Sequence, residues 1–292
     1  MASQVYFALS CNNQIRLMNQ LRLRSTRLLP LPALVLLLLV SFNSQADLEA
    51  GLRAYEMRDY ETAYNELVPL VSEGSIEAQF ILSRMYRAGQ YVSLDMVAGA
   101  LMLQLAADQG HAQAQRELAK MMIIGIGVAR DPEKAVSLMR MSAEQGLPVA
   151  QQELGIIFQT GTLVEPNYEE GLKWLQLAVD QEYLPAIHSM GLMHYYGQGG
   201  EINYIEAERF FRMAAQQGHP QSQFQLGAMY HQGQWVMRDL IKAAMWINVA
   251  ASNGNSSARL LLPDMESELT QNQIDEAREM STECRARGYS NC

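Results

Sequence analysis

From Gly74 onward the chain repeats every 36 residues, a period too short for a domain and long enough for two short helices with their turns. Gly74, Gly110, Gly146, Gly218 and Gly254 lie on one grid, with Glu182 in the remaining slot. Ala78, Ala114, Ala150, Ala186, Ser222 and Ala258 follow four residues later, and Ser83, Ala119, Gly155, Gly191 and Gly227 form a second small column. Gly89, Gly125, Gly161, Gly197 and Gly233 keep step, as do Asp95, Asp131, Asn167, Asn203 and Asp239. A third small column is Gly99, Ala135, Gly171, Ala207 and Ala243, and a large apolar one is Met102, Leu138, Trp174, Phe210 and Trp246. One unit of this size buries too little apolar surface to stand alone, so the copies must stack.

The columns predict two helices per repeat. Ala78, Leu82, Ser83 and Tyr86 have the spacing of a helix face. The Gly89 column can end that helix in the left-handed conformation. The Asp/Asn column opens the second helix as N-cap residues, with Pro132 behind Asp131, and Asn167 with Glu170 and Asn203 with Glu206 in capping-box spacing. The Gly74 column ends the second helix, and Glu182 there requires either an altered turn or a left-handed backbone costing about 1 kcal/mol or more. The small columns are expected to let paired helices approach closely. The Met102 column is expected to fill the space between neighbouring pairs.

Residues 1–46 read as an address. Arg22, Arg24 and Arg27 precede an apolar run from Leu28 to Val40, and Ser44-Gln45-Ala46 follows, the layout of a cleavable signal peptide. The run is shorter than the roughly 20 apolar residues of a spanning helix and contains Pro30 and Pro32, so no stable membrane insertion is expected after cleavage. Cleavage after Ala46 would deliver a periplasmic or secreted protein. Met18 stands directly before the basic stretch as an alternative start, which would make residues 1–17 an over-extended reading. Four of the 22 basic residues, Arg16, Arg22, Arg24 and Arg27, fall in this segment, leaving 18 against 31 acidic residues in 47–292. That balance repels phosphate, so nucleic acid and anionic membrane surfaces are excluded as main partners.

Both flanks of the repeats extend the pattern. Asp59 and Ala63 already sit on the grid, so residues 47–74 read as a divergent leading helix pair. At the other end, Thr270 with Gln273 makes a capping box, and Ile274, Ala277, Ser281 and Cys284 follow at helical spacing. Residues 255–292 are therefore expected to cap the last repeat. Loss of Cys11 with the leader leaves Cys284 and Cys292, an even number for an oxidising compartment, and a disulfide worth about 2 kcal/mol is favoured over two free thiols.

This pattern resembles the Sel-one-like repeat family, a longer-period relative of the tetratricopeptide repeat. One copy reads Ser222, Leu226-Gly227, Tyr230, Gly233, Asp239, Ala243, Trp246, Ala250-Ala251 and Gly254, close to the family consensus. The resemblance covers residues 75–254 as five units, with Ser83 and Ala119 in place of the first-helix Gly and His194 in place of an aromatic. It implies an all-α, right-handed α-solenoid of stacked antiparallel helix pairs, with first-helix residues on a concave groove. Carried onto this chain, that groove holds Glu77, Phe80, Arg84 and Arg87, then Arg116 and Lys120, then Gln152, Ile156 and Gln159, then His188, Leu192 and Tyr195, then Phe224 and His231. Its early part is basic on an acidic protein, and its later part is aromatic with two histidines.

A search for chemistry returns little. There is no Gly-x-Ser-x-Gly elbow, no Gly-Lys-Ser/Thr loop and no Cys-x-x-Cys. Each of the four lysines, Lys120, Lys134, Lys173 and Lys242, has an acid three residues before it, which rules out a Ser-x-x-Lys nucleophile. No catalytic residue, cofactor or metal site is expected. The resemblance implies an interaction module: an adaptor, regulator or scaffold holding protein partners. Two contact sites are expected on the groove. Arg84, Arg87, Arg116 and Lys120 would clamp a partner's acidic segment, and His188, Tyr195, Phe224 and His231 would line an aromatic site. The alternative is a peptidoglycan- or β-lactam-processing hydrolase, a role linked to cysteine-rich relatives in the family. Those relatives carry a cysteine pair in each repeat, whereas here the repeats have none.

Overall fold

The computed structural model describes residues 47–233, 236–290 and 292, so the leader and Cys11 lie outside it. The described residues form fourteen helices: α1 (47–56), α2 (Tyr60–Ser72), α3 (Ile76–Ala88), α4 (Met96–Asp108), α5 (Ala112–Ile124), α6 (Pro132–Glu144), α7 (Pro148–Thr160), α8 (Tyr168–Val179), α9 (Leu184–Tyr196), α10 (Tyr204–Ala215), α11 (Pro220–Gln232), α12 (Leu240–Ser252), α13 (Ser256–Ser267) and α14 (Gln271–Ala286). The chain divides into two compact units at Ala135/Val136. In each, consecutive helices pack as antiparallel pairs, α2 to α5 in the first and α7 to α13 in the second, while α14 packs on α12.

The turns explain why the grid is so regular. The five first helices α3, α5, α7, α9 and α11 end at Gly89, Gly125, Gly161, Gly197 and Gly233, all at positive φ. Six residues later the N-cap amide of the next helix is held by the preceding one: Asp95 N–H donates to Tyr86 O at 2.9 Å, and Asp131, Asn167, Asn203 and Asp239 repeat the bond onto Met122, Phe158, His194 and Tyr230. The Asp/Asn side chains then accept a first-turn amide of the helix they open, satisfying one of its orphan donors. Glu182 resolves its own alternative by taking the left-handed conformation at φ 56°.

The close approaches also fall on the small columns. A Cβ on Gly191 would sit 2.6 Å from the Phe211 ring, and one on Gly155 would sit 2.7 Å from Leu175. One expectation shifts by a residue. In the large column Met102 and Trp174 are only half-buried, and the column buried throughout is the next one, Leu103, Met139, Leu175, Phe211 and Ile247. One residue is a turn of about 100° around a helix, which moves the centre of the buried face by that amount.

A further column was not legible as such: Gln79, Gln115, Gln151 and Gln223 are buried. The Nε2 of Gln115, Gln151 and Gln223 donates to the carbonyl eight residues earlier, Ala107, Ala143 and Ala215. The Oε1 of Gln79, Gln151 and Gln223 accepts an amide from Gln109, Gln181 and Asn253. Gln151 and Gln223 thus each tie a first helix both to the carbonyl end of the helix before it and to the turn after its own partner. Ile187 occupies the same slot and is buried without such bonds. Gln223→Ala is therefore expected to cost about 1–3 kcal/mol, because it leaves the buried Ala215 carbonyl without its side-chain donor and a void beside it, and Gln223→Ile, which fills the void, is expected to cost less. Urea midpoints of the two variants check the order, and an alanine variant as stable as the isoleucine one would refute it.

Candidate functional site

The sequence places a basic stretch on the first helices of the N-terminal unit, and the structure separates its members. Phe80, on α3, is 5 % exposed, with its ring centroid 4.5 Å from that of His111. Its phenyl belongs to the interior rather than to an open groove, because the i+1 position beside the Gln79 column still faces α5. Arg87 pairs with Glu117, and its aliphatic stem lies where a Cβ on Gly99 would go. It is a tie between α3, α4 and α5, not a free cation. Arg116 is half-buried and Lys120 exposed, and both have partners of their own. Arg84 differs. It is exposed, its guanidinium carbon lies 5.4 Å from the Tyr55 ring centroid, and it makes no ion pair among the described residues. Tyr55 on α1 was missed by the sequence reading, since it precedes the repeats.

In the C-terminal unit the four expected aromatic-site residues split into two environments. His188 is mostly buried on α9, with its ring 5.5 Å from Phe211 and 5.0 Å from His219. Burial pushes its pKa down to about 4, and the neighbouring His219 adds to the shift. Tyr195 shares Phe211 at 6.3 Å and stacks edge-on against Tyr204 at 5.3 Å. Phe224 packs against the same core. His231 is elsewhere: its Nε2 lies 2.7 Å from Glu268 Oε1, and Arg238 pairs with the other carboxylate oxygen at 2.9 Å. Glu268 stands outside the repeats, so the grid gave no sign of it. The bond from His231 holds the Glu268 carboxyl below the usual range. Gln152 reaches Ser189 Oγ at 3.3 Å, and Gln159 bonds Gln198.

Ser222 lies within 3.0 Å of both His188 Nδ1 and His219 Nδ1. A serine between imidazoles invites a nucleophile–base reading. Ser222 is fully buried, however, and its own backbone N–H donates to His219 Nδ1 at 3.3 Å. That bond makes His219 the N-cap of α11, as His111 caps α5 through Ala114 N–H at 3.1 Å. The arrangement serves as a capping network and offers substrate no access. Elsewhere, a shallow depression on α8 is lined by Asn167, Glu169, Glu170, Lys173, Trp174 and Leu177. Its charges are already satisfied, Glu169 by Lys173 at 2.9 Å and Glu170 by Arg140 at 2.6 Å. Among the described residues no three His, Cys, Asp or Glu side chains converge as metal ligands, and no helix is long and apolar enough to cross a membrane.

Comparisons with known proteins bear on most of the chain. A family model described as Sel1 repeat matches residues 76–111, 112–147, 148–183, 184–219 and 220–255. The crystal structure of a Sel1 repeat protein from Oxalobacter formigenes is similar at 25 % identity and a TM-score of 0.71, over 80 % of this chain and 96 % of that one. A protective antigen present in uropathogenic Escherichia coli strains, which displays an SLR fold, matches at 21 % identity and a TM-score of 0.46, over 85 % of this chain and 70 % of that one. An immunity protein from Pseudomonas aeruginosa matches at 19 % and 0.46, over 73 % and 83 %. No curated protein sequence matches the chain significantly.

Proposed function

Because the chain belongs to the Sel1 repeat family, whose members generally act as protein-interaction scaffolds, we propose that it is an exported, non-catalytic scaffold that receives an acidic segment of a partner protein at Arg84. The observation that carries this reading is the state of Arg84: exposed, beside the Tyr55 ring, and without an ion pair among the described residues. A guanidinium beside an aromatic ring presents its donor edge outward, which suits two-point contact with a carboxylate. Arg and Tyr are also the side chains in which interface binding energy concentrates. Export rests on the basic, apolar and small-residue order of residues 22–46. Repeat solenoids suit scaffolding because they expose extended surface and enclose few cavities.

The test is photo-crosslinking in the intact envelope with the probe at Ala88, one turn beyond Arg84 on α3, and a control probe at Glu144. Capture of an acidic peptide from Ala88 but not Glu144, abolished by Arg84→Glu, is the expected result. Reversal of that charge should weaken binding by at least about tenfold, the loss of one charge-assisted contact. Capture that survives Arg84→Glu unchanged would remove Arg84 from the interface.

A further inference from the structure

His188 on α9, Ser222 on α11 and His219 at the start of α11 form a hydrogen-bonded chain whose proton positions the geometry determines. His219 Nδ1 accepts the Ser222 backbone N–H at 3.3 Å, so it carries no proton and the ring is the neutral Nε2–H tautomer. Ser222 Oγ lies 3.0 Å from that same nitrogen, a contact that is attractive only if the hydroxyl donates. With its single proton spent there, Ser222 Oγ can only accept from His188, whose Nδ1 at 3.0 Å must carry a proton. This one arrangement accommodates all three contacts, running from His188 through Ser222 to His219.

We infer that this chain is a proton-sensitive latch between α9 and the first turn of α11, which closes when both imidazoles are neutral and opens on acidification. A proton on His219 Nδ1 would remove the acceptor for the Ser222 amide and its hydroxyl together, so α11 would lose its N-cap. A second charge on His188, its ring 5.0 Å from that of His219, would repel the first. Among the described residues, no carboxylate is a cause of either imidazole's shift. The helices packed on α9 carry Glu153 on α7, Glu169, Glu170 and Lys173 on α8 with Asp180 at its C-cap, and Glu206, Glu208, Arg209 and Arg212 on α10. Burial lowers His188 first and the neighbouring His219 imidazole adds to it, while burial lowers His219. Glu206 pairs with Arg209, Glu208 with Arg212, and His231 of α11 with Glu268.

Burial depresses both imidazoles, so the folded chain binds fewer protons than the unfolded one. Stability contributed by neutral His188 is present in full above its unfolded pKa near 6.5. It is lost as pH falls from there towards about 4, raising the unfolding constant on the order of a hundredfold. The test follows amide exchange of Ser222 and Gln223 in the full chain at pH 7.5 and pH 4.5. His219→Asn keeps a capping oxygen that does not titrate, and His111→Asn makes the same change in the other unit. The expected result is selective deprotection of the α11 first turn at pH 4.5, suppressed by His219→Asn and untouched by His111→Asn. ¹⁵N shifts should also show His188 as the Nδ1–H tautomer at pH 7.5. Equal acid deprotection in the wild type and His219→Asn, or an Nε2–H His188, would overturn the latch.

Discussion

Phe211→Ala is expected to destabilise the C-terminal unit by about 3–5 kcal/mol, lowering its melting temperature by roughly 10 °C. Phe211 is fully buried, and its ring lies against α9 where Gly191 leaves room for it. Around it are His188 and Tyr195, neither of which can move into the vacated space without abandoning hydrogen bonds to Ser222 or Gln232. The cavity should therefore persist. Gly191→Ala tests the same contact from the other side, since its new methyl would meet the ring at 2.6 Å and should cost about 1–3 kcal/mol despite the better helix propensity of alanine. In the double variant the methyl enters the space the ring has left. The two changes should then couple by about 1–2 kcal/mol in a urea double-mutant cycle, and strict additivity would show that Gly191 and Phe211 do not share that space.

The same pair shows which parts of the fold the sequence discloses. Gly191 and its column are visible because only small residues fit where helix backbones approach, and a small residue repeated at a fixed interval has no competing explanation. The capping columns are visible for a similar reason: Gly at positive φ and Asp/Asn at an N-cap are chemically narrow positions. Large apolar residues are broader in meaning. Met102 and Leu103 both satisfy an apolar pattern, and only the packing of α4 shows that Leu103 is the interior one. The buried glutamines were hidden by their polarity. Gln115 and Gln151 look like surface residues until the carbonyls of Ala107 and Ala143, eight residues back, are seen to need a partner.

Function is less legible because it depends on which charges are left over. Arg84 and Arg87 are indistinguishable in sequence, both on the first-helix face and both near acids. Glu117, thirty residues on, takes Arg87 and leaves Arg84 alone, a choice made by the rise and rotation between neighbouring first helices. His188 and His231 both lie on the first-helix face of neighbouring repeats, seven positions apart within the unit. Ser222 and His219 claim the first, and Glu268, which no column foretells, claims the second. Small local facts of this kind decide whether a groove residue is a ligand contact or a strut.

A chain ending at Leu269 is expected to associate more than the full chain does, through apolar surface that α14 now covers. This truncation keeps Glu268, and with it the His231 and Arg238 contacts, while removing α14. The cluster around Trp246 and Met265 on α12 and α13 is completed by Ala277 and Cys284, with Met280 and Tyr289 packed at its margin. Tyr289 also reaches back to donate to Asn253 at 3.0 Å, and its ring covers the Gly218 turn. Returning those side chains to water would forfeit about 5 kcal/mol or more at ordinary burial energies, and Trp246 would be uncovered. The structure joins Cys284 to Cys292, so Cys292→Ser provides the graded comparison: it opens the bridge but keeps the helix, and should cost only about 2 kcal/mol. Size-exclusion chromatography and ANS fluorescence distinguish the two, with association and dye binding expected of the truncation alone. A truncated chain that elutes as the full chain does, with an unchanged melting temperature, would mean that α14 is an appendage. With α14 packed on α12, the apolar surface of the last repeat is instead expected to depend on these residues for its cover.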